Sequence, residues 1–261
     1  MMANPVLSRE LRTRLRSKKA RKVQLAIGIP AGIVVLVSYG RLLLALFRFH
    51  DLEGEVWLGC SMLQLAIISF MTPGLLANAI TQEKEQRTWG FLRITRLSSW
   101  QIISGKLIAR LLPIPILMIL FTPFMAYSAV SSEMKWPVIA GTYAVLIATV
   151  LLFAVQALFW STTLRKTSSA IAASYGLVVL ATVGTYIVDQ LIDVTTRISS
   201  PTSLLWCNPF YVMADFLVKL DRHPIPKQTM QEMIVFFSIY IAASMVLLAV
   251  TNAAMERIQA D

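Results

Sequence analysis

Six apolar runs dominate this chain, each near the ~20 residues a helix needs to cross the hydrocarbon of a bilayer. They fall at about 23–47, 57–80, 107–129, 136–160, 169–188 and 233–253. Runs of that length leave few structural choices. In lipid every backbone N–H and C=O must be satisfied within the protein, so the runs are expected to be α-helices. Composition agrees: 56% of the 261 residues are hydrophobic and 15% are charged, against about 25% charged in soluble domains. Too little polar surface remains for a water-facing exterior. The expected fold is an all-α polytopic membrane protein, with residues 1–22 as a separate amphipathic helix and 23–261 as one six-helix transmembrane domain. Trp57, Trp136, Trp160 and Tyr186 stand near predicted span ends, where interfacial aromatics settle.

The loops set the orientation. The net charge of +10 is gathered in short segments beside the apolar runs, which is a topology signal rather than a nucleic-acid-binding face. Arg9, Arg12, Arg14, Arg16, Lys18, Lys19, Arg21 and Lys22 precede the first run. Lys84, Arg87, Arg93, Arg96 and Lys106 lie in or beside the second loop, and Arg165 and Lys166 in the fourth. The first loop sets Arg48 against Asp51, Glu53 and Glu55, and the third holds only Glu133 and Lys135. Cation-rich segments therefore alternate with cation-poor ones. Six spans with both termini cytoplasmic account for the alternation and place 81–106 inside the cell. The expected location is the cytoplasmic (inner) membrane. The first 22 residues are too charged for a signal peptide, so the first span is expected to remain as an uncleaved anchor.

Within 1–22, Asn4 can cap a helix that Pro5 opens, and Leu7, Leu11 and Leu15 share one face. That pattern fits an interfacial elbow helix on an anionic leaflet, with a basic tail that only sets topology as the alternative. Pro30, Pro73, Pro113, Pro115 and Pro123 fall within or at the edges of runs and are expected to kink them. The segment from Asp189 to Glu232 is the longest loop. Its apolar stretch 204–218, LLWCNPFYVMADFLV, is interrupted by Asn208-Pro209 and is too short to span. It is expected to dip into the outer leaflet as a broken re-entrant segment.

Several chemistries lack their residues. No run carries an Asp or Glu in its interior, Asp189 and Glu256 lying at ends, whereas proton relays and ion-coupled carriers use buried ionisable groups. His50 and His223 stand alone, with no metal-ligand spacing around them. Ser104-Gly105-Lys106 is followed by Leu107 where a phosphate-binding loop needs Ser or Thr, and the upstream glycine is lacking. No catalytic, cofactor-binding or metal-binding residue is therefore assigned, and uphill transport by this chain would need an ATPase on another polypeptide. Arg41 and Arg110 lie near run ends, where they are expected to snorkel. Gln64, Ser69, Thr72, Asn78, Thr142, Thr149, Gln156, Ser174 and Thr185 fit interhelical hydrogen bonding or the lining of a path. Cys60 and Cys207 fall on the same expected side, as a disulfide or as two unpaired thiols.

The stretch 81–106, TQEKEQRTWGFLRITRLSSWQIISGK, interrupts this pattern. Residues 82–87 extend the second span as a charged turn. Trp89, Phe91, Leu92 and Ile94 then lie outside any apolar run, in a loop rimmed by cations. Exposed apolar side chains in such a setting mark an interaction site; the alternative is an interfacial helix with its aromatics among headgroups. Ser98 and Gln101 have the spacing of a capping box and start a helix into the third span, with Gly105 and Lys106 at the membrane boundary.

At these residues the chain resembles the ABC-2 type transporter permease family. The resemblance rests on Glu83, Glu85, Thr88 and Leu92, then Leu97-Ser98, then Gly105-Lys106, together with the N-terminal NPVLSREL. Trp89-Gly90-Phe91 departs from the family pattern, as does the missing proline before the polar break. The resemblance implies a membrane-spanning permease subunit of an ATP-driven exporter, paired with a second permease as a homo- or heterodimer. ATP would be held by separate ABC ATPase subunits. It also implies a cytoplasmic coupling helix in which Glu83, Glu85, Arg87, Thr88, Trp89, Phe91 and Leu92 meet the ATPase. The expected partners are that ATPase, the second permease and the lipid bilayer, without nucleic acid. A different class of function fits the same loop: a non-transporting membrane protein that anchors or assembles a soluble partner.

Overall fold

The computed structural model describes residues 53–86, 98–196, 204–219 and 227–260. The expected elbow helix over 1–22 and the first span at 23–47 lie outside the described residues. In chain order the helices are α1 (Glu53–Leu76), α2 (Thr81–Glu85), α3 (Ser99–Leu111), α4 (Pro113–Ser131), α5 (Trp136–Thr163) and α6 (Thr167–Val179). A π-helical stretch, Leu180–Gly184, joins α6 to α7 (Thr185–Thr196). A short 3-10 turn at Leu205–Cys207 precedes α8 (Pro209–Lys219), and α9 (Lys227–Ala260) closes the described chain. No strand occurs among the described residues. Five helical runs are long and apolar enough to cross a membrane: Trp57–Glu85, Ser99–Ser131, Trp136–Thr163, Thr167–Ile192 and Lys227–Arg257. They coincide with the second to sixth runs read from the sequence.

Local sequence explains where the helices start and break. Ser98 caps α3 by accepting from Gln101 N at 3.3 Å, while Gln101 Oε1 accepts from Ser98 N at 3.1 Å, so two orphan donors are satisfied reciprocally. Pro113 and Pro115 lack N–H groups, and α3 gives way to α4 at Leu112. The turn from α4 to α5 is a Schellman ending. Glu133 takes the left-handed conformation, with φ 47°, Met134 N donates to Ala129 O at 2.9 Å, and Glu133 N donates to Val130 O at 3.3 Å. Trp136-Pro137 then opens α5, where the missing N–H of proline costs nothing.

α1 and α5 form the centre. In their most apolar stretches 61% and 56% of residues are buried, against 11% for Thr167–Ile192 and for Lys227–Arg257. α5 packs on α1, α6 and α9, and α1 packs on α4. One apolar cluster joins Trp57, Ile68, Phe121, Val145, Met213 and Phe236 in the half of the bundle that carries α8. A second joins Leu76, Ile80, Ile102, Leu158 and Met255 at the other end. Large aliphatics face outward: Ile119 on α4, Leu180 in the π-helical stretch, Ile187 on α7, and Met245 and Val246 on α9. Helices that are apolar on their outer faces suit a lipid surround. At 34 residues, α9 runs about 51 Å, longer than the ~30 Å hydrocarbon core, so it tilts or protrudes.

Among the aromatics read as interfacial, Trp136 and Tyr186 are exposed. Trp57 is not. It is 1% exposed and donates from Nε1 to Thr142 Oγ1 at 3.3 Å, because α1 and α5 cross there and the indole fills the gap between them. Cys60 and Cys207 are both free thiols.

Candidate functional site: a broken joint at one end and a pinned hairpin at the other

The second run does not continue smoothly into its charged extension. Pro73 cannot donate to Ser69 O, α1 stops at Leu76, and residues 77–80 form a turn before α2. Ala79 N reaches back only three residues, to Leu76 O at 2.9 Å. Ile80 and Thr81 then turn their N–H groups to Ser161 Oγ, at 2.8 and 3.1 Å. The carbonyls released at the joint accept from two cations of α3. Lys106 Nζ donates to Ala79 O at 2.8 Å, and Arg110 Nη1 donates to Leu75 O at 3.0 Å and to Asn78 Oδ1. The backbone accounting at the break is thus met by side chains of α3 and α5.

Lys106 also pairs with Glu83, Nζ to Oε1 at 2.7 Å, and is 1% exposed. Arg110 is 6% exposed. The snorkelling expected of Arg110 is therefore corrected: the unwound turn offers acceptors nearer than the interface, and the guanidinium turns inward to them. Lys106 likewise sits inside the helix packing, with the neighbouring Gly105 buried too.

The two residues after Glu83 reach other spans. Lys84 Nζ donates to Thr162 O and, at 3.4 Å, to Leu164 O, placing a cation at the C-terminus of α5, where the helix dipole favours it. Glu85 Oε1 accepts from Thr167 N at 2.7 Å, a carboxylate at the N-terminus of α6. Thr81 Oγ1 and Thr167 Oγ1 lie 3.2 Å apart and add a further link. Glu83, Lys84 and Glu85 are thus tied to α3, α5 and α6 respectively. Of the residues assigned from sequence, Glu83, Glu85, Ser98, Gln101, Gly105 and Lys106 lie in this region. Arg87, Thr88, Trp89, Phe91 and Leu92 lie outside the described residues.

In the other half of the bundle, Asn208 organises the 3-10 turn and α8 (residues 204–219), hereafter the hairpin. Its Nδ2 donates to Thr182 O at 2.7 Å and to Thr185 Oγ1 at 2.9 Å. Its Oδ1 accepts from Phe210 N at 2.9 Å, capping α8. Thr182 belongs to the π-helical stretch, where the widened turn frees a carbonyl from its α-helical partner. Tyr240 OH donates to Cys207 O at 3.0 Å and ties the hairpin to α9. Val212, Met213 and Phe216 bury the other face of α8, and Phe216 packs so closely on Gly141 that a Cβ there would collide with its ring.

This hairpin gathers carboxyl groups that are far apart in sequence. Asp215 lies on α8 and forms an ion pair with Lys219, Oδ1 to Nζ at 2.6 Å. Glu232, near the start of α9, is 1% exposed and accepts from Gln228 Nε2 at 3.2 Å. Both carboxyls lie close enough to Tyr211 for their charge to act on it, as does Asp189 of α7. The Tyr211 phenol is pushed up to about 12, chiefly by burial and then by the charges of Asp215, Glu232 and Asp189. Asp215 and Glu232 were not singled out in the sequence. The one available signal was an aspartate standing alone in LLWCNPFYVMADFLV. Among the described residues no three His, Cys, Asp or Glu side chains are placed to hold a metal ion.

The polar residues within the spans divide by role. Gln156 Nε2 bridges to Ser174 O at 3.2 Å, between α5 and α6, while Thr72 and Thr149 bond back to their own helices at 2.7 and 2.8 Å. Tyr175 OH crosses from α6 to Phe70 O at 2.8 Å. It passes over Gly74, where a Cβ would stand 2.8 Å from the hydroxyl. Neither a scan of protein-family models nor a search of curated proteins finds a match for the chain.

Proposed function

We propose that this protein is the membrane-spanning permease subunit of an ATP-driven exporter of the ABC-2 type. In this reading 81–106 is its cytoplasmic coupling segment and a separate ABC ATPase is its partner. The observation that carries the reading is the tying of three consecutive residues, Glu83, Lys84 and Glu85, to three different spans. A force applied to the adjoining loop is delivered to α3, α5 and α6 together. A docking segment that only recruited a partner would need no such linkage, which favours transport over anchoring. The unwound joint at 77–80 supplies a place where the lever can turn without breaking α1.

In this reading ATP-driven closure of the ATPase pair presses on the apolar residues Trp89, Phe91 and Leu92 and tilts the tied spans. The permease works as a homo- or heterodimer in the cytoplasmic membrane with both termini inside, and the hairpin around Asn208 is a re-entrant segment in the outer leaflet. Charge substitution at Trp89, Phe91 or Leu92 is expected to uncouple by releasing the ATPase: its activity loses its dependence on the permease, and transport falls at least tenfold, while membrane insertion is unchanged. Measurement of both activities in proteoliposomes checks this. Variants that kept wild-type ATPase coupling and transport would remove the docking assignment. Retained partner binding with no transport even in the wild type would favour the anchoring function.

A further inference from the structure

The Asp215–Glu232 pair holds two carboxyl oxygens in an arrangement that ionised groups cannot share. Asp215 Oδ1 is engaged by Lys219 and Glu232 Oε1 by Gln228. The remaining oxygens, Asp215 Oδ2 and Glu232 Oε2, are buried without a donor, and the two carboxyls lie within hydrogen-bonding reach of each other. Thr229 precedes Glu232 by one turn and so shares its helical face. Its hydroxyl is also buried and has no partner. Lys219 balances one negative charge. Two carboxylates side by side in a water-poor site do not both ionise, and an unpaired buried charge is costly.

We propose that Asp215 and Glu232 form a single-proton site: one proton, shared between Asp215 Oδ2 and Glu232 Oε2, holds α8 against the start of α9, and its release to solvent loosens the hairpin. The inference does not depend on the transport reading. The other charged and titratable groups around the pair are Lys219 and Tyr211 on α8 and Asp189 on α7. With its phenol at about 12, Tyr211 keeps its proton throughout the neutral range and cannot mimic the transition. The sign follows from proton counting. In the unfolded chain both carboxyls ionise near their ordinary values of about 4. Above that range the folded state holds one more proton than the unfolded state, so stability falls as pH rises until the folded pair gives the proton up.

The test is the thermal unfolding of the full-length protein in detergent, from mildly acidic to mildly alkaline pH. The wild type is expected to lose about tenfold in its folding equilibrium per pH unit across the transition, a fall in Tm of roughly 2–4 °C per unit. D215N puts an amide donor opposite Glu232 Oε2 and keeps an acceptor for Lys219. It is expected to flatten the profile and raise Tm at alkaline pH, and E232Q is expected to act in the same way. Infrared difference spectra read the proton directly, as a protonated-carboxyl band present in the wild type at neutral pH and lost in D215N. An unchanged slope in both variants, or no such band in the wild type, overturns the proposal. So does stabilisation at alkaline pH by sodium or a primary amine in place of protons, which would make the pair a cation site. If neither variant folds, the wild-type spectrum alone decides.

Discussion

Lys106→Met is expected to destabilise the protein by about 3 kcal/mol, at the low end of the range for breaking a buried ion pair by removing one partner. The low end applies because Glu83 keeps a quarter of its side chain exposed while Lys106 is almost fully buried, so water takes over part of the abandoned charge. Two losses combine. Glu83 loses the Lys106 cation, and Ala79 O, at the unwound turn, loses a charge-assisted donor. Methionine fills a similar volume, so a packing defect does not dominate the result. The double variant Lys106→Met/Glu83→Gln is expected to recover part of the loss, with a coupling energy of about 1–3 kcal/mol, since both charges of the pair are removed together. Thermal unfolding of the four proteins in one detergent measures the cycle. Additive losses would show that Lys106 and Glu83 do not work as a pair.

The second large effect is expected at Asn208. Replacement by Ala removes the α8 cap, at about 1 kcal/mol. It also leaves Thr182 O in the π-helical stretch without its donor, at about a further 1–2 kcal/mol. Asn208→Ser keeps a cap but is too short to reach Thr182 and Thr185, so it is expected to lose about half as much. The loss is local as well as global. Hydrogen exchange of residues 205–219 is expected to speed up more than that of α1 or α5, because the asparagine is what joins the hairpin to the fifth run. Equal losses for Ala and Ser would mean that the reach to the π-helical stretch contributes nothing.

The spans were legible because length and hydropathy act within one run: twenty apolar residues have to satisfy their own backbone whatever surrounds them. The start of α3 was legible for the same reason, since the Ser98–Gln101 box is complete within four residues. Features that depend on distant contacts were not legible. The joint at 77–80 exists because Ser161, some eighty residues away, accepts from the amides of Ile80 and Thr81. Only once that turn opens do Leu75 and Ala79 expose carbonyls that draw Arg110 and Lys106 inward. Arg110 therefore looked like a snorkelling residue in the sequence and is a buried one in the fold. Asp215 and Glu232 looked like separate loop and end residues. They meet because Asn208 and Tyr240 pin the hairpin beside α9, a packing outcome with no periodic signature. The same holds for Trp57, whose position at a run end matches an interfacial aromatic until α5 is placed across it.

The central proposal is that 81–106 carries force from a separate motor to the spans through the ties of Glu83, Lys84 and Glu85. Affinity purification of the full-length protein from its own membranes in mild detergent tests this most directly. The account predicts a stoichiometric companion ATPase with Walker motifs, lost when Trp89, Phe91 or Leu92 is replaced by Glu and retained in Lys106→Met. Its nucleotide hydrolysis is expected to lose permease dependence in the Lys106→Met complex. Isolation of the intact protein with no ATPase under conditions that preserve bound lipid would contradict the account.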